Sequence, residues 1–227
     1  MPFSDLPSRV SEVRDRIAAA VARGRHAQQV TIVAVTKTHG AEAVRAAWDA
    51  GLRDVGENRV QEALSKMPDV AVPVEWHLIG HLQRNKVKSL DQFSLVHSID
   101  GARLADAVSA HGIARGCPVD ALVQVNIVGE DTKGGFSLEE LSAEVECFAV
   151  RPGMRVTGVM TMAPLNADEA TLRRVFAGAR AARDLLLSAG FPAHTLSMGM
   201  SNDYEVAVEE GATMVRLGTI LFGARGT

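Results

Sequence analysis

One lysine follows a short apolar run and is the first residue whose position suggests chemistry. The run Thr31–Val35 is rich in β-branched residues and predicts a buried strand, and Lys37 comes just after it. Most lysines at such a place are simply exposed to solvent. A lysine that points into a closed cavity is instead partly desolvated, which lowers its pKa and leaves more unprotonated amine to attack a carbonyl. Lys37 is therefore our candidate nucleophile.

Two loops near the C-terminus have the composition of an anion-binding site. They are Ser197–Asp203 and Arg216–Thr219, and their small residues let backbone N–H groups approach an anion closely. The hydroxyls of Ser201 and Thr219 add donors, and each loop leads toward a helix N-terminus, which favours phosphate. Glycine and serine also make ordinary tight turns. Two such loops together favour a phosphate site.

A reactive lysine and a phosphate site in one cavity together indicate pyridoxal 5′-phosphate, held through an imine. Arg216 affects what such a cofactor does, because a cation beside the pyridine nitrogen disfavours protonation of that nitrogen. The ring is then a weaker electron sink. An ion pair at the edge of the fold is the other interpretation of Arg216. A barrel that binds a different phosphorylated metabolite, with Lys37 supplying only charge, also stays open.

These residues need a scaffold that gathers the ends of several strands. An amphipathic helix over 8–24 is followed by eight short apolar runs that alternate with helical stretches. Continuous apolar strands are typical of sheets buried on both faces. An open doubly wound sheet would show the same alternation, but no G-x-G-x-x-G follows the first strand. We therefore predict one α/β domain over 1–227, a single (β/α)₈ TIM-type barrel with an extra N-terminal helix.

The predicted strands are Thr31–Val35, Asp54–Val55, Val74–Ile79, Ser94–Ser98, Val119–Ile127, Arg155–Met160, His194–Leu196 and Thr213–Arg216. The predicted helices after them cover 41–50, 58–66, 82–90, 102–111, 138–149, 167–188, 203–210 and 219–223. Gly112 is expected to end the helix over 102–111.

The amino-acid composition indicates where in the cell the protein acts and which classes of partner it lacks. The 227 residues include 24 Lys plus Arg and 27 Asp plus Glu, a net charge of −3 with no basic block, which argues against a nucleic-acid scaffold. Two cysteines are too few for a disulfide framework, so a reducing cytosol is expected. No apolar run reaches the roughly 18 residues that a membrane span needs. We predict a cytoplasmic protein without membrane or nucleic-acid partners.

Three further groups of polar residues have less specific patterns. His77 and His81 are four residues apart, but no third ligand is evident, so no metal site is predicted. Lys133 follows Asp131 and Thr132 in a polar loop. Its side chain could reach the pocket or lie in solvent at the rim, and we favour the rim. The basic run over 83–88 is expected to be a solvated helix face, with an anion or partner contact as the alternative.

Several segments resemble the pyridoxal phosphate homeostasis proteins, also called the proline synthetase co-transcribed homologue family. The matched segments run in order from residue 33 to 223: Val33–Thr38, Gly56–Glu62, Trp76–Lys86, Gly158–Met162, Leu196–Asp203 and Val215–Gly223. The chain departs from the family at His39–Gly40, where Lys-Pro is common, and at Arg59, where Tyr is common.

The resemblance implies a fold like the N-terminal barrel of alanine racemase and assigns residues to the cofactor. These are Lys37 at the imine, Asn58 against the cofactor, Ser201, Gly218 and Thr219 at the phosphate, Arg216 at the ring nitrogen, and Met200 beside Ser201. No residue is assigned as catalytic.

The resemblance implies a role in intracellular homeostasis of the cofactor, with little or no turnover, and PLP-dependent apoenzymes as possible partners. The alternative is an amino-acid racemase or related carbanion enzyme, which needs a base on each face of the imine. In alanine racemases the second base is a tyrosine from an added C-terminal domain, contributed across a dimer. This chain stops where the barrel closes, and its single tyrosine, Tyr204, is predicted to start a helix. We therefore expect a non-catalytic monomer.

Overall fold

The computed structural model describes residues 3–130 and 133–223, and its centre is a closed barrel of eight parallel strands. The strands follow one another around the barrel in chain order, and the last strand pairs with the first, Thr31 opposite Met214. Helices lie between the strands, as parallel connections require. The predicted (β/α)₈ barrel is confirmed.

The elements are numbered in chain order. The strands are β1 Thr31–Val35, β2 Asp54–Glu57, β3 Glu75–Leu78, β4 Leu95–Ile99, β5 Val119–Gln124, β6 Met154–Met160, β7 Thr195–Ser197 and β8 Met214–Leu217. The α-helices are α1 Leu6–Gly24, α2 Ala41–Asp49, α3 Val60–Lys66, α4 Ala102–Ala114, α5 Leu138–Ala149, α6 Glu169–Ser188, α7 Tyr204–Glu209 and α8 Thr219–Phe222. Two 3₁₀ helices, Met67–Asp69 and Arg84–Gln92, complete the described elements.

Two sequence predictions about these elements are wrong, whereas the helix predicted after β3 is present and is of the 3₁₀ type. The helix predicted over 82–90 is a 3₁₀ helix, Arg84–Gln92. Its buried residues are Val87 and Leu90, three positions apart. That spacing matches the three residues per turn of a 3₁₀ helix, so both side chains reach the core from one face.

The first wrong prediction is the end of α4, which runs past Gly112 to Ala114. Gly112 lies against the backbone of Gly153, and a Cβ at position 112 would come 1.8 Å from the Gly153 carbonyl oxygen. The glycine therefore allows close packing of α4 beside β6 rather than ending the helix.

The second wrong prediction is the length of β5, which ends at Gln124 instead of Ile127. Beyond Gln124 the chain pairs with its own loop, because the Asn126 N–H donates to the Phe136 carbonyl and the Phe136 N–H donates to the Gln124 carbonyl, both at 2.9 Å. The other predicted bounds agree with the structure within two residues.

Side chains alternate between the two faces of the barrel wall. Ile32 and Ala34 of β1 belong to the main core, whereas Val33 belongs to a separate small cluster. Since successive strand residues point to opposite faces, the small cluster fills the barrel interior. Its buried members are Val33, Leu95, Leu122, Met160 and Met214.

Helix α1 packs on the outside of the barrel, against α7 and α8. Its buried stripe is Leu6, Val10, Val13, Ile17 and Ala20, which confirms the helix predicted over 8–24 apart from a start two residues earlier. Among the described residues, no helix combines the length and apolar character of a membrane span.

Candidate functional site

The carboxyl ends of the strands surround a cavity of about 750 Å³, which we call the upper pocket. All of the predicted cofactor residues line it: Lys37, Asn58, Met200, Ser201, Arg216, Gly218 and Thr219. They come from four different strand–helix connections, and the closure of the barrel brings them together. This is the end at which barrels of this type carry their functional residues.

Lys37 is positioned by a buried ion pair behind β1. The Thr36 hydroxyl donates to Glu57 Oε1 at 2.6 Å. Lys66 Nζ donates to the Thr36 carbonyl at 2.9 Å and pairs with the same Glu57 oxygen. Glu57 is fully buried, and this burial raises the pKa of its carboxyl group while the hydrogen bonds from Lys66 and Thr36 oppose the rise. The ion pair thus fixes the backbone next to Lys37.

A tight turn follows Lys37. Thr38 has φ +69°, an uncommon backbone conformation for a residue with a branched side chain. Its N–H donates to Glu62 Oε1 at 2.5 Å, and the His39 N–H donates to the Thr36 carbonyl at 3.1 Å. These hydrogen bonds stabilise the turn against the backbone strain.

The two departures from the family pattern have distinct surroundings. The His39 ring lies 5.5 Å from the Phe3 ring and 5.4 Å from the Phe222 ring, so it joins the beginning and the end of the described chain. Gly40 precedes α2, and a Cβ there would meet the Glu42 carboxylate. Arg59 is exposed before α3.

The two predicted anion loops are hydrogen-bonded to each other. The Ile220 N–H, in the first turn of α8, donates to the Ser201 hydroxyl at 3.3 Å, and the Arg216 N–H donates to the Gly199 carbonyl at 3.0 Å. Gly199 has φ +92°, and a Cβ there would come 2.7 Å from the Ala207 Cβ. The Met200 N–H donates to Asp203 Oδ1 at 2.6 Å. The two loops therefore form one continuous, hydrogen-bonded wall of the pocket.

Arg216 is a buried cation at the base of the upper pocket. Its Nη1 donates to the Ser197 carbonyl at 2.8 Å and to the Ser197 hydroxyl at 2.7 Å, and its Nη2 donates to the Thr161 carbonyl at 2.9 Å. No carboxylate of residues 3–130 and 133–223 lies within ion-pair distance of it, so an ion pair at the edge of the fold is not what the structure shows. Burial lowers the pKa of Arg216 to about 10, which leaves the group charged at neutral pH.

A buried cation without a contacting carboxylate is costly unless an anion compensates it. The upper pocket therefore favours an anionic ligand. Ser201, Gly218 and Thr219, the residues predicted to bind phosphate, line the same pocket.

The two histidines four residues apart do not share a site. His77 Nε2 lies 3.0 Å from Asp54 Oδ1 inside the barrel, whereas His81 Nδ1 lies 2.9 Å from Asp100 Oδ2 at the rim of the pocket. Within the part of the chain that the structure describes, no three His, Cys, Asp or Glu side chains form a possible metal group.

The rim interpretation of Lys133 is wrong, because its side chain lines the pocket and is only 22% exposed. Its Nζ donates to the Ala163 carbonyl at 2.9 Å and pairs with Glu130 Oε2 at 2.7 Å. The loop that begins at residue 133 folds back onto β5, and this brings the side chain inward. Asp131 and Thr132 lie outside the described residues.

His97 is a buried polar residue that sequence reasoning missed. It lies in β4, Leu95–Ile99, with no exposed surface, and its Nδ1 is 3.0 Å from the Ser197 hydroxyl. A histidine inside an otherwise apolar strand is the pattern that would have indicated it.

The chain matches the family described as alanine racemase, N-terminal domain, over residues 11–226. It is 43% identical to the pyridoxal phosphate homeostasis protein of Pseudomonas aeruginosa, over 98% of this chain and 97% of that protein. It is 41% identical to the protein of the same name in Aquifex aeolicus, over 96% of this chain and 97% of that protein.

Solved structures agree with these matches. PipY of Synechococcus elongatus, solved with PLP bound, has a TM-score of 0.85 and 34% identity, covering 96% of this chain and 100% of that chain. Alanine racemase from Corynebacterium glutamicum has a TM-score of 0.71 at 18% identity, covering 93% of this chain and 61% of that chain, and supports the fold alone.

Proposed function

The chain belongs to the family of pyridoxal phosphate homeostasis proteins, which carry the alanine racemase N-terminal domain, and from this premise we propose that it binds pyridoxal 5′-phosphate as a Schiff base on Lys37. The observation that carries the proposal is the convergence of Lys37, two donor-rich loops and the buried Arg216 cation on one pocket. The pocket volume, about 750 Å³, leaves room for a ligand of this size.

The residues of the pocket fit the parts of this cofactor. Ser201, Gly218 and Thr219 are proposed to hold the phosphate, because loops with small residues present backbone N–H groups to an anion. Arg216 faces the ring nitrogen in this proposal, and Asn58 and Met200 contact the cofactor. When bound, the cofactor supplies an electron sink for carbanion chemistry.

The proposed role is a carrier with little or no turnover. A cation held at the ring nitrogen keeps that nitrogen unprotonated, which weakens the electron sink. The single tyrosine, Tyr204, is the buried first residue of α7 and does not line the pocket. Within the described residues, no tyrosine therefore lies where it could act as the base that a racemase needs on the second face of the imine.

A racemase or related carbanion enzyme is the second candidate, because other titratable groups line the same pocket. Each of them is already hydrogen-bonded: His81 to Asp100, Lys133 to the Ala163 carbonyl, and Asp203 to the Met200 N–H. The backbone contacts of Lys133 and Asp203 favour a structural role. A histidine held by a carboxylate is instead the arrangement of many general bases, so His81 is the observation that favours this second candidate.

The biological setting is proposed from the relatives. The relatives are named for pyridoxal phosphate homeostasis. We propose that this protein likewise limits the concentration of the free aldehyde and delivers the cofactor to PLP-dependent apoenzymes. We propose that this occurs in the cytoplasm and that the protein acts as a monomer.

One experiment tests the carrier proposal against the enzyme alternative. Purified protein with the cofactor is expected to show the visible absorption of an imine and to turn over no member of a panel of L-amino acids at an ordinary enzyme rate. Turnover above about 1 s⁻¹ would establish the racemase or carbanion candidate instead.

A further inference from the structure

A row of hydrogen-bonded polar side chains crosses the barrel interior beneath the upper pocket. Arg216 Nη1 lies 2.7 Å from the Ser197 hydroxyl, which lies 3.0 Å from His97 Nδ1. His97 Nε2 lies 2.9 Å from His77 Nδ1, and His77 Nε2 lies 3.0 Å from Asp54 Oδ1. We call these five residues the interior row. They come from five different strands.

All members of the interior row are buried except Asp54, which is partly exposed. His97 and Ser197 have no exposed surface, and His77 and Arg216 are each 4% exposed. The Asp54 side chain is 25% exposed and lines a second cavity, of about 530 Å³, near the amino ends of β1 and β2. The row therefore joins the base of the upper pocket to the opposite end of the barrel.

The donor and acceptor of each hydrogen bond in the interior row can be assigned so that all the bonds point the same way. The Asp54 carboxylate only accepts, so His77 must carry a proton on Nε2. If His77 is neutral, its Nδ1 accepts from His97 Nε2–H, and His97 Nδ1 then accepts from the Ser197 hydroxyl. The Ser197 oxygen accepts from Arg216. Every proton points away from Arg216 and toward Asp54.

The reverse order requires a second buried cation. His77 would carry protons on both nitrogens, and Ser197 would accept from both His97 and Arg216. Burial, His77 and Arg216 all lower the pKa of His97 well below its usual value, which shows how unfavourable added positive charge is here. The negative charge of Asp203 opposes the fall in the pKa of Arg216 and so favours this one cation.

We infer that His97 and His77 are positioning residues that hold Ser197 and, through it, the Arg216 guanidinium at the base of the upper pocket. Fixed acceptors restrict the orientation of a guanidinium, and an imidazole held by a partner on its other nitrogen keeps one tautomer. In this arrangement each histidine carries one proton and is neutral. What Arg216 does for a cofactor rests on the proposed function, but the row itself does not.

Nuclear magnetic resonance of ¹⁵N-histidine protein without added cofactor tests the row by itself. His77→Gln and His97→Gln variants assign the two rings. We expect both rings to be neutral at pH 7 with the proton on Nε2. A doubly protonated His77, or a His97 protonated on Nδ1, would overturn the inference whatever the protein binds.

Cofactor affinity tests the consequence for Arg216. His97→Leu and Ser197→Ala each break the row, whereas His97→Gln offers an amide oxygen to Ser197 and an amide N–H to His77. Leu122→Val removes one methylene from the same barrel interior and is the matched packing control. We expect the Kd for pyridoxal 5′-phosphate to rise about tenfold in the first two variants and to stay near the wild-type value in the other two.

The pH midpoint of the visible imine band separates a change in electrostatics from a loss of packing, because a loss of packing alone should leave this midpoint unchanged. It is expected to shift by about half a unit or more in His97→Leu and Ser197→Ala, because the orientation of the nearby cation changes. Wild-type values of Kd and midpoint in both variants would overturn the inference. Absence of cofactor binding by the wild-type protein would contradict the proposed function instead, and the tautomer measurement would still decide the row.

Discussion

At the scale of single residues, the type and position of a side chain were enough to predict Lys37 and Arg216 as parts of the pocket. Both follow or end short apolar runs, and such residues lie at the open end of a barrel. Glu57 and Lys66 were not predicted as a pair, because they lie on β2 and α3 and meet only behind the wall that carries Lys37. A sequence pattern gives each residue a face, but not its partner on another element.

Lys66→Met is expected to lower the free energy of unfolding by about 3–5 kcal/mol at pH 7, because it leaves the Glu57 carboxylate buried without its cation. Urea denaturation measures the change. Lys88→Met, at an exposed position of the 3₁₀ helix, is the control and should change stability by less than about 0.5 kcal/mol. Equal effects of the two substitutions would contradict the role given to the buried pair.

At the scale of elements, hydrophobic periodicity predicted the existence and order of strands and helices but misjudged glycines. Gly112 predicts the end of a helix, yet it lies inside α4. A glycine is needed there because the backbone of Gly153 leaves no room for a Cβ. Gly199 reads as a turn residue, and here the conformation does demand it. The difference depends on what packs against the glycine, which no local pattern contains.

Gly199→Ala is expected to destabilise the protein by about 1–3 kcal/mol and to weaken cofactor binding, since the added methyl group meets Ala207 and the turn after β7 must shift. Urea denaturation and a binding titration measure the two effects. Gly190→Ala is a matched control, because Gly190 also has a positive φ but nothing lies within 4 Å of an added Cβ. It should lose some stability and keep the affinity. Loss of affinity in both variants would show that the local packing of Gly199 is not the cause.

At the scale of the whole molecule, eight repeated strand–helix units predicted the closed barrel, and the barrel in turn placed the candidate residues around one pocket. The contents of the barrel interior were not predictable in the same way. Apolar Val33 and Leu122 share that space with His97 and Ser197, and only closure brings these strands face to face. The interior is thus partly polar, which has a consequence for stability.

The buried His97 is expected to make the protein less stable in mild acid. Its pKa in the folded state is well below the usual value, so below about pH 6.5 the unfolded chain binds a proton that the folded chain does not. The free energy of unfolding therefore falls as pH falls, by up to about 1.4 kcal/mol per pH unit from this group. His97→Gln has no such proton, so the difference in unfolding free energy between wild type and variant should shrink or reverse between pH 7 and pH 5. A difference independent of pH would contradict a neutral His97.

The central claim is the covalent attachment of the cofactor at residue 37, and reduction with borohydride followed by peptide mapping tests it most directly. Reduction turns an imine into a stable amine, and the modified lysine resists trypsin, so the pyridoxyl group should appear on the uncleaved peptide His26–Arg45. Lys37→Ala should carry no such group and lack the visible band, whereas Lys133→Ala, which changes the other lysine lining the pocket, should keep both. A pyridoxyl group on a different lysine, or a visible band that survives in Lys37→Ala, would contradict the account.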